Sequence, residues 1–134
     1  MSSFDLKNNV SVANALNIQA ISSNTSVAGV SIDTKGFESA TFAIQSGTLT
    51  DGTYTPEVSE SDDNSTFTAV ADDFLIGTEA NAVLVATDDN KVKTIGYVGK
   101  KRYVKLTITS TSVTSGGTLG ASVILGHPKT APVA

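Results

Sequence analysis

The chain has 134 residues, a formal net charge of −4 and a single histidine. Charged residues make up 16% of it, against about 25% in ordinary globular domains, and hydrophobic residues make up 40%. Cysteine is absent, which excludes a disulfide framework and thiolate zinc sites, and the length suits one domain spanning residues 1–134.

Residues 1–14 are predicted to form an N-terminal arm before the first strand. This region has no cationic segment followed by an apolar core, so we expect no signal peptide. No run of about 18 apolar residues predicts a membrane span. We therefore expect a soluble protein, made in a bacterial cytoplasm, with no membrane partner.

Alternating apolar and polar residues then predict β-strands. The pattern covers Ala15–Ile21 and Val27–Ile32, and in the segment GFESATFAIQSG it places Ala40, Phe42 and Ile44 on one face. The abundance of Thr and Val agrees, because β-branched side chains pack well on a pleated sheet. The sequence predicts an all-β fold.

Turn residues separate the next strands. Asp51-Gly52 favours a tight turn, with Tyr54–Ser59 predicted as the returning strand of a hairpin. Pro56 predicts an edge or a bulge in that strand, because proline cannot donate to the ladder. A second turn is predicted over Ser61–Ser65.

The region Ala71–Asn90 is consistent with a loop that contains either a short strand or one helical turn, and the pattern leaves both open. A turn is predicted at Gly99-Lys100, as the tip of a hairpin between the strands before and after it. The strands predicted in this part of the chain are Val92–Val98, Arg102–Ser110 and Leu119–Leu125. Alternation in the second of these places Val104, Leu106 and Ile108 on the core face. Some seven or eight strands predict one β-sandwich or jelly roll, with an extended C-terminal tail over residues 127–134.

Six of the nine basic residues lie close together in the sequence. They are Lys91, Lys93, Lys100, Lys101, Arg102 and Lys105. They have three interpretations: solubility of an exposed sheet, contact with acidic turns such as Ser61–Ser65 on a neighbouring copy, or nucleic-acid binding. The net negative charge and the lack of an aromatic ladder argue against the third, so we expect no nucleic-acid partner.

Catalytic patterns are missing. His127 is the only imidazole, and no Gly-x-Ser-x-Gly elbow accompanies it. The acidic pairs at 62–63, 72–73 and 88–89 lack the spacing of a calcium loop, and Asp in a turn bonds to its own backbone. We expect no enzymatic activity, no cofactor and no metal site.

Four segments resemble a small protein of tailed bacteriophages and prophages that is encoded among the head genes. They are Gly36–Val70, Ile76–Ala80, Ile95–Thr109 and Leu119–Ala134. The run GYVGKKRYV and the ending that contains Gly-His-Pro are the most specific parts. The resemblance implies a virion structural component and brings no catalytic residues.

The commonest role of that kind is a capsid decoration (cement) protein. It would lie on the outer face of the virion and bridge subunits of the major capsid protein lattice and copies of itself through many modest contacts. The contact residues we expect are Lys100, Lys101, Arg102, Lys105, His127, Pro128, Pro132 and Val133.

Two other roles remain open. One is a vertex, head-fibre base or tail component of the same particle. The other is a carbohydrate-binding β-sandwich for adhesion to the host, although eight aromatic residues and no tryptophan supply few rings for a sugar platform.

Overall fold

The structure, a computed structural model, describes residues 10–77 and 82–128. Residues 1–9 of the predicted arm and residues 129–134 of the predicted tail therefore lie outside the described residues. Strands dominate the backbone between these limits, and they form two sheets packed as a sandwich, which confirms the predicted fold class.

Eleven strands are found among the described residues, more than predicted, because several are only two or three residues long. Their bounds are β1 Ser11–Ile21, β2 Ser26–Ala28, β3 Ile32–Asp33, β4 Phe37–Leu49, β5 Thr53–Ser61, β6 Thr68–Ala69, β7 Leu75–Ile76, β8 Leu84–Val85, β9 Val92–Tyr97, β10 Tyr103–Thr111 and β11 Gly117–Pro128. Short 3-10 turns cover Asp72–Phe74 and Ala86–Asp88. The region 71–90 thus contains both of the structures that the sequence left open.

The first sheet has five strands in the order β1-β11-β4-β9-β7, with all neighbours antiparallel. Its long middle strands pair β11 with β4 and β4 with β9, so that Val123, Phe42 and Ile95 lie side by side. Strand β1 begins at Ser11, so residues 11–14 of the predicted arm belong to this sheet.

The second sheet has six strands, with β10 between β5 on one side and β2 and β3 on the other. The far side of β5 pairs with β8 at Thr53 and Tyr54 and with β6 at Ser59 and Glu60. Pro56 lies in the interval that neither short strand covers, where a residue without a backbone N–H fits. Strand β5 is therefore not the edge strand that Pro56 predicted; the proline occupies a local gap in the pairing of an interior strand.

One hydrophobic cluster fills the space between the sheets. The predicted core residues Phe42, Ile44, Val104, Leu106 and Ile108 are all at most 1% exposed. Alternation along each strand therefore identified the inward face correctly, because successive side chains of a strand point to opposite sides.

Both predicted hairpins are wrong. Strands β4 and β5 flank Asp51-Gly52, and β9 and β10 flank Gly99-Lys100, but the members of each pair belong to different sheets. Each turn is a crossover between the layers of the sandwich. A turn dipeptide fixes where the chain reverses, whereas the strand that a segment pairs with depends on residues far away in the sequence.

Candidate functional surfaces

One end of the sandwich is formed by residues 33–38, 60–67 and 98–102, and is called the loop end here. The first strand begins at this end and the last strand finishes there. Ser11 pairs with Leu125, and Pro128 pairs with Phe37. The run that carries the resemblance and the start of the predicted tail therefore lie on the same side of the molecule.

A polar network connects the strands and the crossover at the loop end. The buried Tyr97 of β9 donates its hydroxyl hydrogen to Glu60 of β5 at 2.7 Å, and the backbone nitrogen of Lys101 donates to the same hydroxyl oxygen at 3.1 Å. Burial and the hydrogen bond to Glu60 both raise the pKa of Tyr97, so it stays a neutral donor. This contact ties the two sheets together.

Two cations of the basic run bind carboxylates of the same chain. Arg102 makes a bidentate contact with Asp33, at 2.8 and 2.7 Å, which lowers the pKa of that carboxyl to about 2. Lys101 contacts Asp62 at 2.6 Å, and this hydrogen bond raises the pKa of the lysine. One interpretation of the basic run was a contact with the acidic turn Ser61–Ser65 of a neighbouring copy; Asp62 of that turn contacts Lys101 of the same chain instead.

The charges of the loop end nearly cancel. Its cations are Lys35, Lys100, Lys101 and Arg102, and its carboxylates are Asp33, Glu38, Glu60, Asp62 and Asp63. Among the described residues, Lys35 and Lys100 form no ion pair. Lys105 lies on β10 beyond this end, with its ammonium 4.4 Å from the centre of the Phe67 ring.

Two grooves flank the 98–102 crossover. One, of about 380 Å³, is lined by residues 34–38 and 99–102, and Phe37 forms part of its floor. The other, of about 270 Å³, is lined by Glu60, Phe74 and residues 99–101, and Phe74 is 45% exposed. Lys100 lines both grooves, so it stands between two partly apolar depressions.

The second candidate surface is the outer face of the five-stranded sheet, which the sequence analysis did not identify. The side chains and glycines that point outward from the paired part of this sheet carry no charge. They include Val12, Asn14, Ile18, Ala20, Ser39, Thr41, Ala43, Gln45, Ile76, Val92, Thr94, Gly96, Thr118, Gly120, Ser122, Ile124 and Gly126.

The six-stranded sheet differs, because Lys105 and Glu57 lie on its outer face. The uncharged face also concentrates exposed aliphatic side chains. Five of the nine large hydrophobic residues exposed in the described chain belong to it: Val12, Ile18, Ile76, Val92 and Ile124, from 37% to 80% exposed. Runs of Gly, Ala, Ser and Thr at the outward positions of β4 and β11 were the signal in the sequence.

A groove of about 440 Å³ crosses this face. Small residues of β4 and β11 form its floor, while Ile18 and Val92 stand at its sides. A Cβ added at Gly120 would lie 2.6 Å from the side chain of Ile18, so the glycine lets that side chain lie over the strand. None of the eleven residues lining the groove is aromatic.

The described residues contain no cluster of three or more His, Cys, Asp or Glu side chains that could hold a metal ion. Strand β11 passes through His127 and Pro128, whereas Pro132 and Val133 lie outside the described residues. In the part of the chain that the structure covers, no helix is long and apolar enough to cross a bilayer.

No family model and no curated protein matches the sequence. Among solved structures, the PBSX exported protein XepA superposes with a TM-score of 0.57 at 15% identity, covering 90% of this chain and 38% of that one. The chain thus spans well under half of that protein.

Two further structures are more distant. The SPBc2 prophage-derived protein YomS has a TM-score of 0.47 at 19% identity, covering 87% of this chain and 93% of that one. The CBM22-1 xylan-binding domain from Paenibacillus barcinonensis has a TM-score of 0.46 at 10% identity, covering 94% and 87%. What the chain shares with XepA at this level of identity is the fold.

Proposed function

We propose that the chain is a non-enzymatic structural protein of a tailed-phage or prophage particle, bound to the outside of the capsid as a decoration protein. The observation that carries this proposal is the meeting of three features at the loop end: the GKKR crossover, the two grooves beside it and the backbone that leads into the predicted tail. The resemblance of the sequence to a phage protein encoded among the head genes supports the same context, and the PBSX exported protein XepA shares the fold.

The loop end suits attachment to a protein lattice better than attachment to DNA. Two of its four cations are paired with carboxylates of the same chain and carboxylates outnumber cations there, so few counterions would be released on contact with phosphates. Its crossover is already fixed by Tyr97, Asp33 and Asp62, so little conformational entropy is lost on docking. A single such contact is weak, and repetition over the shell supplies the avidity.

Particles released by the bacterium that carries the gene would test this proposal. The amount of the chain per major capsid protein is measured by quantitative mass spectrometry for the wild type and for Lys100→Glu. Lys100 has no ion pair with a described residue, so its reversal leaves the network intact. Lys91→Glu is the control, because it reverses an exposed lysine just before β9, at the opposite end of that strand, and the ion pair of this lysine with Asp88 is long, at 4.0 Å.

We expect Lys100→Glu to lower the incorporated amount at least several-fold and Lys91→Glu to leave it unchanged. Deleting residues 129–134 should also lower incorporation while the domain stays folded. Equal incorporation of all variants, or absence of the wild-type chain from purified particles, would contradict the proposal.

A further inference from the structure

We infer that the uncharged outer face of the five-stranded sheet is a contact between two copies of this chain. The inference adds to the proposed function a surface through which neighbouring copies touch, beside the end that binds the shell. The role of this surface in a particle rests on the proposed function. The loop end lies at the ends of the strands, whereas the faces of the sheets lie parallel to them. A molecule that binds the shell by its loop end therefore directs its sheet faces toward neighbouring molecules on the shell.

Charge selects a second copy as the occupant. Each chain carries a net charge of −4, so copies repel one another wherever charged surfaces would meet. The outward positions of this face bring no charge into contact with a partner and leave none buried without a counterion. A twofold contact joins identical patches, so an uncharged face meets an uncharged face by symmetry.

The shape of the face agrees with this pairing. Ile18 is 80% exposed and stands beside a groove whose floor is made by Ala43, Gly120 and Ser122. In a twofold arrangement the Ile18 side chain of one copy can enter the groove of the other, and the reverse contact forms at the same time. Exposed aliphatic side chains gain free energy when water leaves such a contact.

The size of the face predicts a weak dimer. Five strands spaced about 4.8 Å apart and three rows of outward residues cover roughly 400 Å² per copy, about half of the ~800 Å² per partner in a standard interface. Copies should therefore separate in dilute solution and pair at high concentration. On a shell, neighbouring copies are held close together, so the weak contact becomes populated.

The test uses the purified chain in solution. Sedimentation velocity from about 5 µM to about 500 µM should show a shift from monomer to dimer for the wild type, in the range expected of a weak interface. Ile18→Lys and Thr94→Lys each place a cation on the face, and both should remain monomeric at the highest concentration. Val30→Lys is the matched control, because Val30 is 49% exposed outside this face, and it should dimerise like the wild type.

All three substituted side chains are exposed, so each variant should fold. Circular dichroism and thermal melts check this. A wild type that stays monomeric at the highest concentration would overturn the inference, as would dimerisation of Ile18→Lys and Thr94→Lys to the wild-type extent. Either result, combined with normal incorporation of the wild type into particles, would leave the proposed function standing.

Discussion

The hydroxyl of Tyr97 lies 2.7 Å from the carboxylate of Glu60, and this hydrogen bond connects the two sheets of the sandwich at the loop end. The same hydroxyl oxygen accepts a hydrogen bond from the backbone of Lys101, at the centre of the GKKR crossover. The side chain of Tyr97 thus joins the two sheets and also positions the crossover that we propose binds the shell.

Replacing Tyr97 by Phe should destabilise the domain by about 1–3 kcal/mol, because a partly buried carboxylate and a backbone N–H both lose their partner. Urea unfolding followed by circular dichroism measures the change. Tyr103→Phe is the control, since the Tyr103 hydroxyl has no hydrogen bond among the described residues. Equal stability of Tyr97→Phe and the wild type would contradict the prediction, because it would show that water satisfies the Glu60 carboxylate and the Lys101 backbone N–H equally well.

Leu106→Ala should cost about 2–5 kcal/mol of unfolding free energy, because Leu106 is fully buried on the central strand β10 and its truncation leaves a cavity. Val30→Ala, at a half-exposed position, should change the stability far less. The same unfolding measurement compares the two variants. Similar losses for both would place the core elsewhere.

The stability should fall in acid partly through Asp51. Its carboxylate accepts hydrogen bonds from the backbone nitrogens of Ser115, Gly116 and Thr114, at 2.9 to 3.2 Å, and these lower its pKa. A lowered pKa in the folded state contributes stability above the unfolded value of about 4, and this contribution is lost as the pH falls through the folded value.

Asp51→Asn removes that titration, so its unfolding free energy should depend less on pH below about 4 than that of the wild type. The measurement is a series of urea titrations over the acidic range. Parallel pH profiles for the two proteins would contradict the assigned role of Asp51.

Binding of DNA should be absent near physiological salt. The loop end carries five carboxylates against four cations, and Lys101 and Arg102 are engaged within the chain. Fluorescence anisotropy with labelled duplex and single-stranded DNA at about 150 mM salt should show no binding, since any low-salt affinity collapses as counterions are added. Tight binding that is lost in a Lys100→Glu variant would refute this prediction.

The sequence predicted the layers of this fold better than their connections. Alternation around Phe42 and Leu106 identified the buried faces because the two-residue period of a strand is local. Asp51-Gly52 and Gly99-Lys100 were correctly predicted as turns and incorrectly as hairpins. Choosing between a hairpin and a crossover requires the pairing of β4 with β11 and of β10 with β5, which bring together distant residues.

The candidate surfaces show the same division. The GKKR run was visible in the sequence, but its engagement with Asp33 and Asp62 depends on loops about 40 to 70 residues away. The uncharged face could not be predicted, because its residues are spread over five strands. An outward Ala43 or Gly120 indicates such a face only when the residues beside it on the neighbouring strands are known.

A reconstruction of the particle by electron cryomicroscopy tests the central claim most directly. We expect density for this sandwich on the outer surface of the capsid, with the 98–102 crossover against the shell and the uncharged faces of neighbouring copies turned toward each other. Density on the tail or inside the head, or a sandwich whose 98–102 crossover points away from the shell, would contradict the account.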